Sequence, residues 1–482
     1  MNYSQSDIFP SEIVFGIIGP IGCNRELVVD TVVKLAKHFS YEVELIKVSD
    51  LIQANCKLDV STKDQFSRVT TLMDEGNTLR KSKGDNSILA KMAAIEISKR
   101  RKKHPNGRVI YLVNSLKHPE EITALRDIYA NGFYLFAIHS DEDYRNKFLK
   151  KSCHIENDNH RKQLISRDKD EDLGYGQSTS SAFHLADFFL TEDGNNTKIW
   201  NSLERYFDLI FGDPFRTPTF QEYSMFMAHA ASIRSADLSR QVGAVITREK
   251  DIISSGANEC PKAFGGTYWP EFNSDNNEIS DVENGRDYMR GLDFNAQEKK
   301  NIIQSLKNNI PKEFEEILDK NISDSGLKDI TEFGRVVHAE MDAILACAKR
   351  GESIKNTIMF CTTYPCHNCA KHIVASGIEK VIYIEPYPKS KALIMHSDSI
   401  TTDNSFPIDK VLFKPFIGVG PRQYINLFSM HLSDGHSQRR KTKGTYNKIT
   451  WTRDNAVPRM KMLNTSYIEI ESYLEQQINN SN

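Results

Sequence analysis

The sequence lacks a long apolar run, a secretory leader and an excess of charge of either sign. No hydrophobic stretch approaches the roughly 20 residues that span a membrane. The opening MNYSQSDIFPSE has neither the basic nor the apolar region of a signal peptide, so we expect a cytoplasmic protein with no membrane partner. With 62 Lys and Arg against 64 Asp and Glu, nucleic-acid binding would need a local basic surface. Residues 439–443 are the best candidate, and a solvated loop is their simpler interpretation.

Cysteine is sparse and mostly scattered. The chain has eight cysteines, and a reducing compartment argues against a disulfide framework. Cys366 and Cys369 form the one tight pair in the sequence. In a reducing compartment, such a pair indicates metal or redox chemistry.

The length of 482 residues predicts two domains. Residues 11–217 alternate short β-branched or aromatic runs with helical stretches, which predicts an α/β domain around a parallel sheet. The turn-rich GDPFRTPT then marks a boundary. Residues 218–482 are predicted to form a following three-layer α/β/α domain, interrupted by a polar insertion at about 265–334.

The strongest motif is H-x-E followed, after a predicted strand, by P-C-x-x-C. It comprises His338, Glu340, Pro365, Cys366 and Cys369, and zinc-dependent base deaminases use this arrangement. Catalytic zinc takes three protein ligands and keeps a fourth position open. We therefore predict one zinc per chain, bound by the histidine and the two cysteines.

The spacing of the motif has a physical interpretation. Positions two apart do not share one side of a regular helix, so His338 and Glu340 can converge only at a helix tip. A helix starting after Pro365 would place Cys366 at its N-terminus, where the helix dipole favours thiolate. Glu340 is then the predicted catalytic proton shuttle to cytosine N3 and the departing amine. The backbone N–H of Ala339 is the predicted donor to the pyrimidine O2.

Two other interpretations stay open from the residues. A structural zinc site would need a fourth ligand, and none of the nearby candidates has a typical spacing; they are His367, His372, Cys361 and Cys347. Such a non-catalytic, zinc-stabilised regulator leaves Glu340 unexplained. A polynucleotide cytosine or adenine deaminase would need a basic groove with aromatic residues, and the acidic insertion argues against one.

A second glycine-rich motif lies near the N-terminus. A strand leading through Gly16, Gly19 and Gly22 into a helix is the setting of a phosphate loop. Cys-Asn-Arg follows Gly22 in place of the Walker lysine and hydroxyl residue, so we expect no ATP hydrolysis. Nucleotide binding, with Arg25 replacing the missing charge, and a purely structural turn are both open interpretations.

The stretch from residue 234 to 259, RSADLSRQVGAVITREKDIISSGANE, resembles the opening of the deoxycytidylate deaminase family. In that family a V-G-A-V strand precedes a hairpin that ends in G-x-N. The resemblance implies that Asn258 contacts the sugar of a bound nucleotide. Asp342 departs from the asparagine that many relatives carry after H-A-E-M.

The whole layout resembles the anti-phage dCTP deaminases, which join a P-loop kinase-like domain to a deaminase. The resemblance includes FGIIGPIGCNRE, MDEGNTLR, VNSLKHPEE and EPYPKSKALIMHSDSI. It implies conversion of free dCTP, with dCMP as an alternative, to the deoxyuridine form, which drains dCTP during phage infection. It also implies a homo-oligomer, commonly a hexamer, kept silent by an inhibitory RNA or awaiting a phage-derived trigger. The candidates for contacting the substrate phosphates are Lys389 and Lys391, with Arg422 and residues 439–443 as alternatives.

Overall fold

The computed structural model describes residues 12–104, 107–169, 171, 175–274, 277–311, 314–324, 333–385, 390–403, 409–454, 456–460 and 464–480. The chain divides into two compact units. The first unit comprises Met1–Glu222 and Ile417–Asn482, and the second comprises Tyr223–Phe416. Among the described helices, none combines the length and apolar character that crossing a bilayer requires.

The first unit begins as a parallel α/β sheet. Its strands are β1 (Ile13–Ile18), β2 (Glu42–Lys47), β3 (Val109–Leu116), β4 (Phe133–His139) and β5 (Phe188–Thr191). They pair in parallel in the order β5-β4-β1-β3-β2. β1 is central and fully buried, which explains its continuous apolar sequence. The parallel-sheet prediction for this part of the chain is confirmed.

Helices connect and cover these strands. They are α1 (Arg25–His38), α2 (Val48–Cys56), α3 (Gln65–Lys83), α4 (Ile88–Arg101), α5 (Pro119–Tyr129), α6 (Glu142–Lys151), α7 (Asp158–Lys169), α8 (Thr179–Phe183) and α9 (Asn196–Ile210), with a 3-10 turn at Ala130–Gly132. The sheet and helices enclose a core rich in phenylalanine and tyrosine.

The second unit has its own sheet. Its elements, starting with a helix that spans the boundary, are α10 (Phe220–Ser232), β6 (Gly243–Arg248), β7 (Asp251–Ala257), β8 (Glu271–Asn273), β9 (Glu278–Ser280), α11 (Asp287–Arg290), α12 (Phe294–Asn308), α13 (Glu315–Asp324), α14 (Ala339–Lys349), β10 (Ile358–Thr363), α15 (His367–Ser376), β11 (Lys380–Glu385), α16 (Ala392–Met395), β12 (Ile400–Thr401) and β13 (Val411–Pro415). The strand order is β12-β13-β11-β10-β6-β7, antiparallel only where β6 meets β7 and β10. The small β8-β9 hairpin and α11–α13 occupy the range predicted as an insertion.

Two glycines show that helices cover both faces of this sheet. A Cβ on Gly243 would lie 1.9 Å from the Ala228 carbonyl oxygen in α10, and one on Gly256 would lie 2.3 Å from the Ala339 oxygen in α14. Gly243 pairs with Ala257, the neighbour of Gly256. Because successive residues of a strand face opposite sides, α10 and α14 lie on opposite faces, as a three-layer arrangement requires.

The C-terminal segment returns to the first unit. It contains β14 (Gly418–Val419), α17 (Pro421–Phe428) and α18 (Asn464–Asn480). β14 pairs antiparallel with β5, and α18 packs against α4 and α5. This corrects the prediction that residues 218–482 form one following domain: the second unit interrupts the first. The buried Glu222 carboxylate links the chain segments that precede and follow the second unit. It accepts hydrogen bonds from the N–H groups of Thr219 (2.7 Å) and Val419 (3.0 Å).

We expect Glu471→Ala to destabilise the first unit by about 2–3 kcal/mol, because the buried Tyr129 hydroxyl loses its acceptor and Arg101 keeps only Glu12 as a carboxylate partner. Glu471 in α18 is fully buried and accepts hydrogen bonds from Arg101 and, at 2.6 Å, from the Tyr129 hydroxyl. Urea unfolding of the full chain measures the change. Glu469→Ala, at an exposed position of the same helix, is the matched control. Equal unfolding midpoints for the two variants would contradict the expectation.

Candidate active site

Two helix N-termini carry the predicted zinc ligands. His338 is the N-cap of α14 and Cys366 the N-cap of α15, both with extended backbone, and Cys369 lies in the first turn of α15. The residue before His338 is fixed by a two-way backbone bridge between Val337 and Glu259, with N···O distances of 3.0 and 3.1 Å. The structure therefore places His338 and Cys366 at helix tips, as predicted.

The three side chains form a compact donor set. His338 Nδ1 lies 3.4 Å from Cys366 Sγ and 3.3 Å from Cys369 Sγ, and all three donor atoms lie within 4.8 Å of one another. Donors on a tetrahedral zinc, with bonds of about 2.0–2.3 Å, are separated by about 3.5 Å, so the set fits zinc. No other group of three suitable ligands occurs among the described residues.

The electrostatics of the two thiols differ. The pKa of the Cys366 thiol is lowered to about 4, chiefly by its hydrogen bond with the Cys369 side chain and then by His338, although burial opposes this. Burial raises the pKa of the Cys369 thiol. A bound metal cation favours the thiolate form of both cysteines.

Glu340 is the second residue of α14 and only 4% exposed. Burial, and then the negative charge of Cys366, raise the pKa of its carboxyl group. A raised pKa makes the protonated form of a carboxyl group easier to reach than in water. Glu340 lines the same cavity as His338 and Cys366 and lies outside the group of three donor atoms.

A cavity of about 190 Å³ opens over this group. His338, Ala339, Glu340 and Cys366 contribute to its wall. The rest of the wall comes from residues 237–240, Val242 and Asn258, and from Thr363 and Tyr364. The residues Asp287, Asp293, Asn295, Gly334 and Val336 complete it. Among these wall residues, sequence reasoning predicted Asn258 and missed the others. Only the position of Tyr364 inside the T-Y-P-C motif could have indicated its place in the wall.

Asn258 lines the cavity and is buried. Its Oδ1 accepts a hydrogen bond from the Val242 N–H at 2.7 Å, and its Nδ2 donates to the Arg240 carbonyl at 2.8 Å. The amide therefore fastens the loop that carries Arg240. An amide has two donors and two acceptor lone pairs, so the predicted sugar contact is compatible with this role.

The other predicted residues are placed as follows. Ala339 is the buried first residue of α14 and lines the cavity. Lys391 is exposed, precedes α16 and is absent from the described wall, while Lys389 lies outside the described residues. Asp342, which departs from the family pattern, accepts hydrogen bonds from Arg234 (2.9 Å) and from the backbone of β7.

The predicted nucleotide-binding residues lie in the first unit. Gly16 lies inside β1, where a Cβ would be 2.8 Å from the Phe133 ring. It packs within the strand, and its predicted part in nucleotide binding stays a prediction. Gly19 and Gly22 lie between β1 and α1, and Arg25 is the first residue of α1.

Residues 218–385 match the cytidine and deoxycytidylate deaminase zinc-binding region. The match includes all four motif residues, and zinc is therefore the metal of the His/Cys/Cys group. The deaminase part of the sequence resemblance is supported. The kinase-like identity of the first unit and the anti-phage role stay predictions.

Individual relatives match over shorter stretches. The deoxycytidylate deaminase of Enterobacteria phage T2 is 49% identical over 55 residues, 11% of this chain and 29% of that protein. That of Schizosaccharomyces pombe is 26% identical over 204 residues, 42% of this chain and 48% of that protein. The apo dCMP deaminase structure from cyanophage S-TIM5 has 18% identity and a TM-score of 0.24, and the match covers 42% of this chain and 100% of that one. The matches to these two curated relatives span less than half of each protein's length.

We expect Gly256→Ala to displace the tip of α14. The added Cβ would meet the Ala339 oxygen at 2.3 Å and the Ala343 nitrogen at 2.4 Å, and backbone atoms cannot yield without moving the helix. Such overpacking costs about 1–3 kcal/mol and shifts His338 and Glu340, so bound zinc and stability should both fall. Zinc content and urea unfolding measure this. The exposed neighbour Ser255→Ala should change neither. Wild-type zinc content and stability in Gly256→Ala would contradict the expected close contact.

Proposed function

We propose that the second unit hydrolyses the amino group of cytosine in free deoxycytidine nucleotides, with dCTP as substrate and dCMP as the alternative. The observation that carries the proposal is the buried Glu340 carboxyl in the cavity lined by His338 and Cys366, two members of the His338, Cys366 and Cys369 donor set. In the reaction one water is consumed, a C4–O bond forms and the C4–N bond breaks. The products from dCTP are dUTP and ammonia.

The chain's own residues have defined roles in this proposal. Zinc, when bound, supplies the Lewis acidity that lowers the pKa of water. Glu340 accepts a proton from the attacking water, delivers one to ring N3 and then protonates the departing amine. The Ala339 N–H, at the start of α14, orients the pyrimidine through O2. The surrounding walls exclude bulk water, which strengthens these polar contacts.

The cavity volume suits the base of a nucleotide and not the whole nucleotide. Pockets that enclose a whole drug-sized ligand measure about 300–1,000 Å³, whereas this one measures about 190 Å³. The cytosine therefore enters, Asn258 borders the sugar, and the phosphates stay at the rim. Arg240 is the one lysine or arginine among the described lining residues, and its half-exposed side chain lies 3.4 Å from Glu385.

A substrate panel tests the proposal. Zinc-loaded full-length protein is incubated with dCTP, dCMP, CTP and cytosine-containing single-stranded DNA, and uracil products are separated by chromatography. We expect turnover of the free deoxynucleotides. Turnover of the polynucleotide alone would overturn the substrate assignment in favour of a polynucleotide deaminase. Absence of turnover with every substrate would favour a non-catalytic zinc-stabilised protein.

We further propose that this activity drains dCTP in antiviral defence, as the two-domain sequence resemblance implies. Cellular dCTP and dUTP, measured by mass spectrometry after phage infection, provide the test. Cells with the wild-type chain should lose dCTP, and cells with Glu340→Gln should retain it. Equal dCTP pools in both strains would contradict the antiviral role.

A further inference from the structure

Two backbone N–H groups of the turn after β1 donate hydrogen bonds to carboxylates of the same chain. The Ile21 N–H donates to Asp168 Oδ2 at 2.8 Å, and the Asn24 N–H donates to Glu192 Oε2 at 3.0 Å. Asp168 is 1% exposed and Glu192 is fully buried. In a phosphate loop, backbone N–H groups of this turn bind anionic phosphate oxygens. Here two internal anions already occupy two of those donors.

The basic side chains around the turn also form ion pairs or hydrogen bonds within the chain. Lys117, which directly follows β3, lies 2.6 Å from Asp168 Oδ1 and donates to the Gly19 carbonyl at 2.8 Å. Arg25 donates to the same carbonyl at 3.4 Å. A phosphate arriving at the turn would therefore meet two carboxylates, while the neighbouring lysine already neutralises one of them.

Helix α6 packs against the turn. Gly22 has φ +83°, and a Cβ there would lie 2.9 Å from the Arg145 carbonyl oxygen and 3.0 Å from Leu149 Cγ. Arg145 donates to the Ile21 carbonyl at 3.2 Å, and the Tyr144 hydroxyl donates to Glu192 Oε1 at 3.0 Å. The same helix therefore packs on the turn and holds one of the carboxylates in place.

We propose that Asp168 and Glu192 are internal replacements for phosphate, and that the first unit binds no nucleoside triphosphate at residues 19–25. Binding there would have to break the buried Lys117–Asp168 pair and place phosphate beside displaced like charges, which burial makes costly. Of the two interpretations that the glycine-rich sequence left open, the contacts favour the structural one. The turn then has a structural role and joins α1, α6 and α7.

Hydrogen exchange of the zinc-loaded full-length protein, resolved to single amides, tests this proposal. We expect the Ile21 and Asn24 amides to be protected without nucleotide, and unchanged by millimolar ATP with magnesium or by pyrophosphate. Asp168→Ala should speed exchange about tenfold or more at Ile21, and Glu192→Ala should do so at Asn24, because each loses its acceptor. Asp193→Ala, an exposed neighbouring acid, is the control.

Two results would overturn the proposal. One is unprotected Ile21 and Asn24 amides in the wild-type protein. The other is ATP-dependent slowing at these amides, which would show phosphate reaching the turn. Protection within β4 reports whether each variant stays folded. If Asp168→Ala unfolds, the wild-type comparison with and without ATP still decides the matter.

Discussion

Glu340→Gln is expected to lower kcat for dCTP deamination by about 10²–10⁴-fold, the range that general acid–base catalysis contributes. Glutamine keeps the size and much of the hydrogen bonding of the buried side chain but cannot carry the proton. Because Glu340 lies outside the His338, Cys366 and Cys369 donor set, the variant should retain one zinc per chain. Steady-state kinetics and metal analysis of the same preparation measure both quantities.

The control for this variant is Glu352→Gln. Glu352 lies just after α14 and pairs with Arg248 and Arg350 at its partly exposed position. Its replacement should leave both kcat and zinc content unchanged. A near-wild-type kcat in Glu340→Gln would show that Glu340 does not transfer the proton. Loss of zinc together with activity would indicate that Glu340 acts through the metal site.

Cys369→Ser is expected to abolish stoichiometric zinc binding and to lower the deamination rate by about 10³-fold, equivalent to several kcal/mol of lost metal assistance. Cys369 is fully buried in the first turn of α15, and its sulfur lies 3.3 Å from His338 Nδ1. A serine hydroxyl is a much poorer zinc ligand than a thiolate. Metal analysis after gel filtration, together with kinetics, measures the two effects.

A cysteine outside the donor set controls for the loss of a thiol. Cys56, half-buried in the first unit, is suitable, and Cys56→Ser should retain zinc and activity. If Cys369→Ser kept one zinc per chain, the proposed ligand set would be wrong. If it lost zinc and kept full activity, zinc would be structural.

The metal site was predictable because its chemistry constrains local sequence. Side chains two positions apart in the sequence can converge only at the end of a helix, and the structure places His338 at the N-cap of α14. A proline followed by a cysteine likewise indicated the start of α15 at Cys366. The apolar strands of both sheets were predictable for a related reason, since burial on both faces requires continuous apolar runs.

The surroundings of the site were less accessible to sequence reasoning. Asp287 and Asp293 reach the cavity from a segment far from the motif, and isolated polar residues carry no periodic signal. The two-residue β14 is too short for a recognisable alternation, so the return of the chain to the first unit was missed. Nothing in the sequence indicated that Gly16 makes room for the Phe133 ring, because a glycine packed in a strand looks the same in sequence as a loop glycine.

Oxygen transfer from water to the base tests the central claim most directly. Zinc-loaded protein is incubated with dCTP in H₂¹⁸O, and the nucleotide product is examined by mass spectrometry while ammonia is quantified. Hydrolytic deamination by the second unit predicts dUTP with one ¹⁸O at C4 and one ammonia per dUTP, with the rate sharply reduced in Glu340→Gln. Absence of labelled dUTP, or an equal rate of labelling in Glu340→Gln, would contradict it.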